Sequence, residues 1–314
     1  MTHDPSTDQR VAFLGLGHMG APMAANLLAA GVPVIGYDVV PAAMDAAADA
    51  GIPLAQDAIQ AVADADVVLT MFPSGQHVLE AYRGTDDAPG LLASAPSGAT
   101  FLDCSTINIS EAQDAAREVT EAGFDAADAP VSGGVVGAEA GTLAFMVGAD
   151  DHVFARLEPL LAVMGSRVVH CGPAGMGQAA KICNNMILGV SMVAVSEAFV
   201  LAEKLGLDHQ AMFDVVSGAS GQCWSLTTNC PVPGPVPSSP ANRDFQPGFA
   251  GALMAKDLGL AVNALSETSV DAPMGELAQR IYADFASEWG GADQDFSAII
   301  QSIRERSTSR LPRR

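Results

Sequence analysis

Four stretches of this chain carry residues whose types and spacing suit chemistry. In FLGLGHMG, residues 13–20, Gly15, Gly17 and Gly20 form G-x-G-x-x-G. Placed between a strand and a helix, the first glycine permits a tight turn. The second lets backbone approach a pyrophosphate, and the third lets the helix pack close to the strand. Phosphate then sits at a helix N-terminus. VIGYD puts Asp38 eighteen residues past Gly20, where an acid can bind both ribose hydroxyls of NAD and repel a 2′-phosphate. The second stretch is DAPVSGG, in which Ser132, Gly133 and Gly134 offer a hydroxyl and backbone N–H groups; such a turn can hold a carboxylate in a nest of donors. The third, GQAAKICNNMILG, sets Lys181 among apolar and amide residues, with no acid before Glu197 on its C-terminal side. On a helix, Asn184 and Asn185 share the lysine's face, and Gly177, four residues before it, leaves room for something flat. The fourth, AKDLGLA, carries Lys256 and Asp257.

Each stretch also has a plainer reading. The glycines can form a turn in any α/β protein, and residues 132–134 can be a surface turn. Lys181 can snorkel at a helix edge. For Lys256 and Asp257 a solvated helix pair is the better reading from the residues alone.

The elements that must position these residues follow from periodicity. Residues 11–14 and 34–37 read as strands around a small-residue helix, APMAANLLAAG, and PAAMDAAADAG reads as a second helix. ADVVLTMF, GATFLDCST, LAFMVGA and SRVVHCG continue the strands, with EAQDAAREVTEAG as a helix. Alternating strands and helices imply a doubly wound, mostly parallel sheet. After Gly172 the segments lengthen and take helical spacing. The fold class is therefore α/β: an N-terminal Rossmann-type doubly wound sheet over residues 1–172, followed by an all-α C-terminal domain over 173–314. CPVPGPVPSSPANRDFQPG interrupts the helices as a long loop, of a length that is often functional or disordered.

Composition narrows the partners. The chain has 314 residues, 49% of them hydrophobic, enough for a globular core. A net charge of −21 argues against a nucleic-acid partner, because phosphates are repelled. Arg304, Arg306, Arg310, Arg313 and Arg314 cluster at the tail, which reads as a frayed, solvated end. Five cysteines, none in C-x-x-C spacing, read as reduced thiols with no metal site and no disulfide framework. Val11 to Tyr37 contains no Asp, Glu, Lys or Arg, yet its glycines and prolines suit a strand, turn, helix and strand better than a membrane span. The polar first ten residues lack a signal-peptide charge pattern. The expectation is a cytoplasmic protein with no membrane partner.

The glycine fingerprint, DAPVSGG, Gly177–Lys181–Asn185 in G-x-x-x-K-x-x-x-N spacing, and KDLGLA, in that order, resemble the β-hydroxyacid dehydrogenases. The resemblance runs from Val11 to about Arg304. Its most specific part is the Cys223–Trp224 and Pro-Val-Pro-Gly loop, similar to members that act on 3-hydroxyisobutyrate. It implies NAD-dependent, reversible oxidation of that small 3-hydroxy acid to methylmalonate semialdehyde, in valine catabolism, with no metal. It implies Lys181 as the catalytic acid/base, helped by Asn185, and a substrate site at Ser132, Gly133, Gly134 and Trp224. The cofactor would be cradled by Gly15, Leu16, Gly17, His18, Met19, Gly20, Asp38, Phe72, Pro73, Thr106 and Lys256. His77 stands where the family often has asparagine and can still donate a hydrogen bond to the cofactor.

A lysine at its reference pKa of ~10.4 is a poor base near neutrality. Burial and the charge of an oxidised nicotinamide should lower it, so Lys181 can act at the hydroxyl oxygen. Two alternatives stay open: a related acid, as in tartronate semialdehyde reduction, and a non-catalytic NAD-binding protein on the same fold. The apolar helical half and the resemblance together point to a homodimer or homotetramer.

Overall fold

Every strand expected from the apolar runs is present in the computed structural model, which describes residues 9–85 and 88–309. The chain divides after Lys181 into two compact units, the division falling inside a helix.

In the first unit the strands are β1 (Val11–Leu14), β2 (Val34–Tyr37), β3 (Val67–Thr70), β4 (Gly84–Thr85), β5 (Ala88–Pro89), β6 (Thr100–Asp103), β7 (Asp125–Asp128), β8 (Val131–Ser132), β9 (Leu143–Ala149) and β10 (Gly165–Gly172). The helices are α1 (Gly20–Ala29), α2 (Pro41–Asp49), α3 (Ala58–Val62), α4 (Gly75–Arg83), α5 (Leu91–Ser94), α6 (Ile109–Glu121), α7 (Gly134–Ala140) and α8 (Asp151–Met164). β4 and β5 pair only with each other; the main sheet has the order β10-β9-β7-β6-β3-β1-β2, with β8 on β9. β1, β3 and β6 are wholly buried, which is why their central residues are apolar without alternation. Alternate residues feed opposite faces. Val11 and Phe13 pack with Met23 and Leu27 of α1 and Leu157 of α8, while Ala12 and Leu14 pack with Val78 and Tyr82 of α4 and Val119 of α6.

Parallel pairing aligns the strand ends. Leu14 lies opposite Tyr37 and Thr70, Thr70 opposite Asp103, and Asp103 opposite Asp128. The loops after β1, β2, β3, β6 and β7 therefore leave one edge of the sheet, where ligands bind in open α/β folds. β9 breaks the pattern by pairing antiparallel with β7 and β8. Asp128 lies opposite Gly148, where any Cβ would meet the Asp128 carboxylate at 2.3 Å.

The region from Val11 to Tyr37 is strand, turn, helix and strand, as expected. A different segment is long and apolar enough to cross a bilayer by length and composition alone: α9 (Met176–Leu205), with 44% of its most apolar window buried within the fold. Residues 1–8, which include most of the polar N-terminus, lie outside the described residues.

The second unit holds the rest of α9 with α10 (His209–Val216), α11 (Trp224–Thr227), α12 (Gly251–Thr268), α13 (Pro273–Ser287) and α14 (Ile299–Ser309). Phe199, Leu258, Tyr282, Phe285 and Phe296 anchor its core. The Pro-rich loop is ordered and sends Cys230, Val232, Val236 and Phe245 into that core. Both loop ends are tied to the buried Asp295 carboxylate, which accepts from Asn229 Nδ2 at 3.1 Å and from the N–H groups of Gly248 and Phe249 at 3.0 and 3.2 Å. The frayed-tail expectation is corrected for two arginines. Arg304 Nε donates to both Glu203 oxygens at 3.1 Å, and Arg306 lies 4.2 Å from the Trp289 ring centroid. Glu203 lies 101 positions before Arg304, so tail composition gave no hint of it. Arg310, Arg313 and Arg314 lie outside the described residues.

Candidate active site

The glycine turn shows why each glycine is needed. Gly15 has φ +95°, and a Cβ there would lie 2.3 Å from the Met71 carbonyl oxygen. A Cβ on Gly20 would lie 1.9 Å from the Gly15 oxygen, whereas one on Gly17 would meet nothing within 4 Å. Two glycines thus close the turn while the middle one leaves an open face on which a pyrophosphate fits. Leu16 is buried, His18 exposed and Met19 half-buried. Asp38, after β2, is held against this turn: Oδ2 accepts from Leu16 N at 2.7 Å and Oδ1 from Val40 N at 2.8 Å. The residues present therefore fit a dinucleotide.

At the next strand ends, one polar chain joins two loops. Asp103 Oδ1 accepts from Thr70 Oγ1 at 2.8 Å and from Ser105 Oγ at 2.6 Å. Ser105 Oγ in turn accepts from Phe72 N at 2.8 Å. The Phe72–Pro73 and Ser105–Thr106 loops are therefore bound together through Ser105. The exposed His77 ring lies nearby in sequence, its Nδ1 2.7 Å from Ser74 Oγ at the start of α4.

Further along the same edge, Gly133 and Gly134 have φ +134° and +63°. Two consecutive residues of this kind explain the Gly-Gly pair, and they turn the chain directly into α7, whose first N–H groups have no intrahelical acceptor. Lys181, 7% exposed, donates from Nζ to the carbonyl oxygen of Val131 at 2.8 Å. The lysine is thereby brought to the residue before Ser132.

The start of α9 is anchored by groups that sequence reading passed over. Asp128 accepts from Gly175 N at 2.6 Å through Oδ1 and from Gln178 N at 2.8 Å through Oδ2. Burial pushes its carboxyl up to about 6, the nearby Asp103 charge adding to the rise against the opposing effect of the two N–H donors. Gly177 is corrected. A Cβ there would lie 2.2 Å from Met146 O and 2.7 Å from Asp128 Oδ2, so this glycine seats the helix on the sheet instead of leaving space for a ligand.

In the helical unit Asn185 is 1% exposed, and its Nδ2 donates to Asp257 Oδ2 at 2.5 Å. Asn184, exposed and not on the buried face, donates to Asn185 Oδ1 at 2.9 Å. Asp257 is 5% exposed, which corrects the solvated-pair reading; Lys256 Nζ lies 3.9 Å from its Oδ1. Trp224 opens α11 with about half its surface exposed.

Comparison with known proteins places these residues in a family. Residues 10–172 match the NAD-binding domain of 6-phosphogluconate dehydrogenase. Residues 175–303 match the NAD-binding domain of NADP-dependent 3-hydroxyisobutyrate dehydrogenase. A probable 3-hydroxyisobutyrate dehydrogenase of Mycobacterium tuberculosis is 53% identical over 297 residues, 95% of this chain and 98% of that one. The chain belongs to the 3-hydroxyisobutyrate dehydrogenase family. The solved Mycobacterium tuberculosis 3-hydroxyisobutyrate dehydrogenase with L-serine superposes with a TM-score of 0.89 at 52% identity, covering 94% of this chain and 99% of that one. An NAD-dependent L-serine dehydrogenase of Pseudomonas aeruginosa is 43% identical, covering 93% of this chain and 96% of that one. The chain is thus an NAD(P)-dependent oxidoreductase of the hydroxyacid dehydrogenase kind.

In this dehydrogenase the glycine turn, the Phe72 and Thr106 loops, the Ser132–Gly134 turn and Lys181 all follow one sheet edge or dock on it. Asn185, Trp224 and Lys256 are carried by the helical unit. Sequence reading missed Asp103, Ser105, Asp128 and Gln178, and it misjudged Asp257. The one available signal was the presence of carboxylates at strand ends and in a helical apolar run, where an acid is costly unless it is bonded.

Proposed function

We propose that this chain reversibly oxidises 3-hydroxyisobutyrate to methylmalonate semialdehyde with NAD, as a step of valine catabolism. The observation that carries the reading is the Lys181–Val131 hydrogen bond, which sets a buried lysine nitrogen beside a turn of two positive-φ glycines suited to a carboxylate. The nicotinamide supplies the hydride acceptor. The backbone donors at Gly133 and Gly134, with Ser132, hold the substrate carboxylate, and Asn185 and Trp224 hold the rest of it. As the neutral amine Lys181 takes the hydroxyl proton on oxidation, and as the ammonium so formed it returns that proton to the aldehyde oxygen on reduction. Gly15 to Gly20, Asp38, Phe72, Pro73, His77, Thr106 and Lys256 bind the cofactor. The proposal includes a cytoplasmic homodimer or homotetramer; Ile187, Leu201 and Leu205, exposed along α9, supply apolar surface for assembly.

L-serine is the second reading, favoured by the relative and the solved structure that carry its name. It shares the carboxylate and the CH₂OH group and replaces the C2 methyl by an ammonium. A panel of 3-hydroxyisobutyrate, L-serine and glycerate, the reduced partner of tartronate semialdehyde, read by NADH absorbance, ranks these substrates. NAD binding with no turnover on any of them would instead favour a non-catalytic protein.

A further inference from the structure

Gln178 is wholly buried and lies one helical turn before Lys181. Its side-chain amide grips backbone on both sides of Thr106: Oε1 accepts from Ile107 N at 3.2 Å, and Nε2 donates to Ser105 O at 2.8 Å. Ser105 is the residue that binds the Phe72 loop and Asp103. The backbone N–H of Gln178 is at the same time fixed on Asp128. One side chain therefore ties the loops assigned to the cofactor to the helix turn that carries the assigned acid/base. A buried amide with both ends satisfied defines a single arrangement, because any shift orphans a donor or an acceptor.

We propose that Gln178 is a positioning residue that holds Lys181 in register with the cofactor-binding loop at Thr106. The inference rests on the function proposed above. Hydride and proton leave adjacent atoms of one substrate, so the distance between the cofactor loop and the lysine is the distance that must be kept. Misplacement by about 1 Å can cost roughly 10²-fold in rate.

The test uses Gln178→Met, which keeps volume and loses both bonds, and Gln178→Glu, which keeps shape. For Gln178→Met the expected result is a roughly 10- to 100-fold fall in kcat, with weaker NADH binding by fluorescence titration and little change in the KM for the hydroxy acid. In Gln178→Glu the ionised carboxyl cannot donate to Ser105 O, whereas the protonated one offers the same donor and acceptor as the amide. Burial and the carboxylates of Asp128 and Asp103 favour the protonated form. Its kcat relative to wild type, taken at each pH, should therefore climb as pH falls, which a purely structural role would not produce. Wild-type kcat in both variants overturns the proposal, as does a pH-independent ratio for Gln178→Glu. The second variant decides if Gln178→Met does not fold. Should the wild-type chain oxidise none of the 3-hydroxy acids, the functional reading fails; unchanged NADH affinity in Gln178→Met would then sink the positioning role separately.

Discussion

The side-chain nitrogen of Lys181 lies 2.8 Å from the carbonyl oxygen of Val131, on the strand that runs straight into Ser132 and the two glycines. A backbone carbonyl is a neutral partner. The bond aims the nitrogen at the turn where an anionic substrate would sit.

Lys181→Ala should lower turnover by roughly 10²- to 10⁴-fold, the range for lost acid–base catalysis. NADH binding should persist, because the glycine turn is untouched. Initial rates beside a fluorescence titration check both parts, and near-normal turnover would refute the assigned role.

Asp257→Ala removes the acceptor that orients the Asn185 amide. A hydrogen bond to a charged group contributes about 1.5–3 kcal/mol, so kcat/KM for the hydroxy acid should fall roughly 10- to 100-fold. The Kd for NADH, measured alongside, controls for wider damage. An unchanged kcat/KM would mean that Asn185 needs no orienting partner.

Gly134→Val should raise the KM for 3-hydroxyisobutyrate more than Ser132→Ala does. The backbone of Gly134 has a φ of 63° that L residues rarely adopt, costing about 1–3 kcal/mol in a β-branched residue. A hydroxyl deletion leaves the backbone donors in place. If KM is the same as wild type in both variants, the carboxylate pocket lies elsewhere.

Asp128 should make stability pH-dependent. Its carboxyl titrates at about 6 in the fold, above its ordinary 3.8. The native state therefore keeps the proton longer than the unfolded chain. This contribution is fully present below about pH 3.8 and is lost as pH rises through about 6. The span is about 2 pKa units, on the order of 3 kcal/mol. Urea unfolding of wild type and Asp128→Asn from pH 4 to 7 isolates it: the wild-type advantage should shrink as pH rises. A constant difference would contradict the assignment.

Asp38 should select NAD over NADP by at least about tenfold in kcat/KM, about 1.4 kcal/mol. No arginine stands at residues 39–43 to clamp a 2′-phosphate. Asp38→Ala should narrow the gap by weakening NAD, and partly by releasing Leu16 N and Val40 N, which the carboxylate now holds. Steady-state kinetics with both cofactors decide it; a wild type that prefers NADP would refute the role.

Much of this was legible without coordinates, for local reasons. β1 occupies the residues expected, because a strand inside a parallel sheet must be apolar nearly throughout. Gly15 and Gly20 close the turn that their spacing requires, because backbone conformation and Cβ clashes are largely local properties. What only the tertiary structure decided is which distant groups meet. Lys181 reaches Val131 across 50 positions, and Asn185 reaches Asp257 across 72. Gln178 closes on Ser105 and Ile107, and Arg304 on Glu203. Gly177, read as an opening, proved to be a seat for α9. Such contacts depend on strand order and on how a helix docks, and a buried polar side chain carries no mark in its own neighbourhood of the partner that makes its burial tolerable.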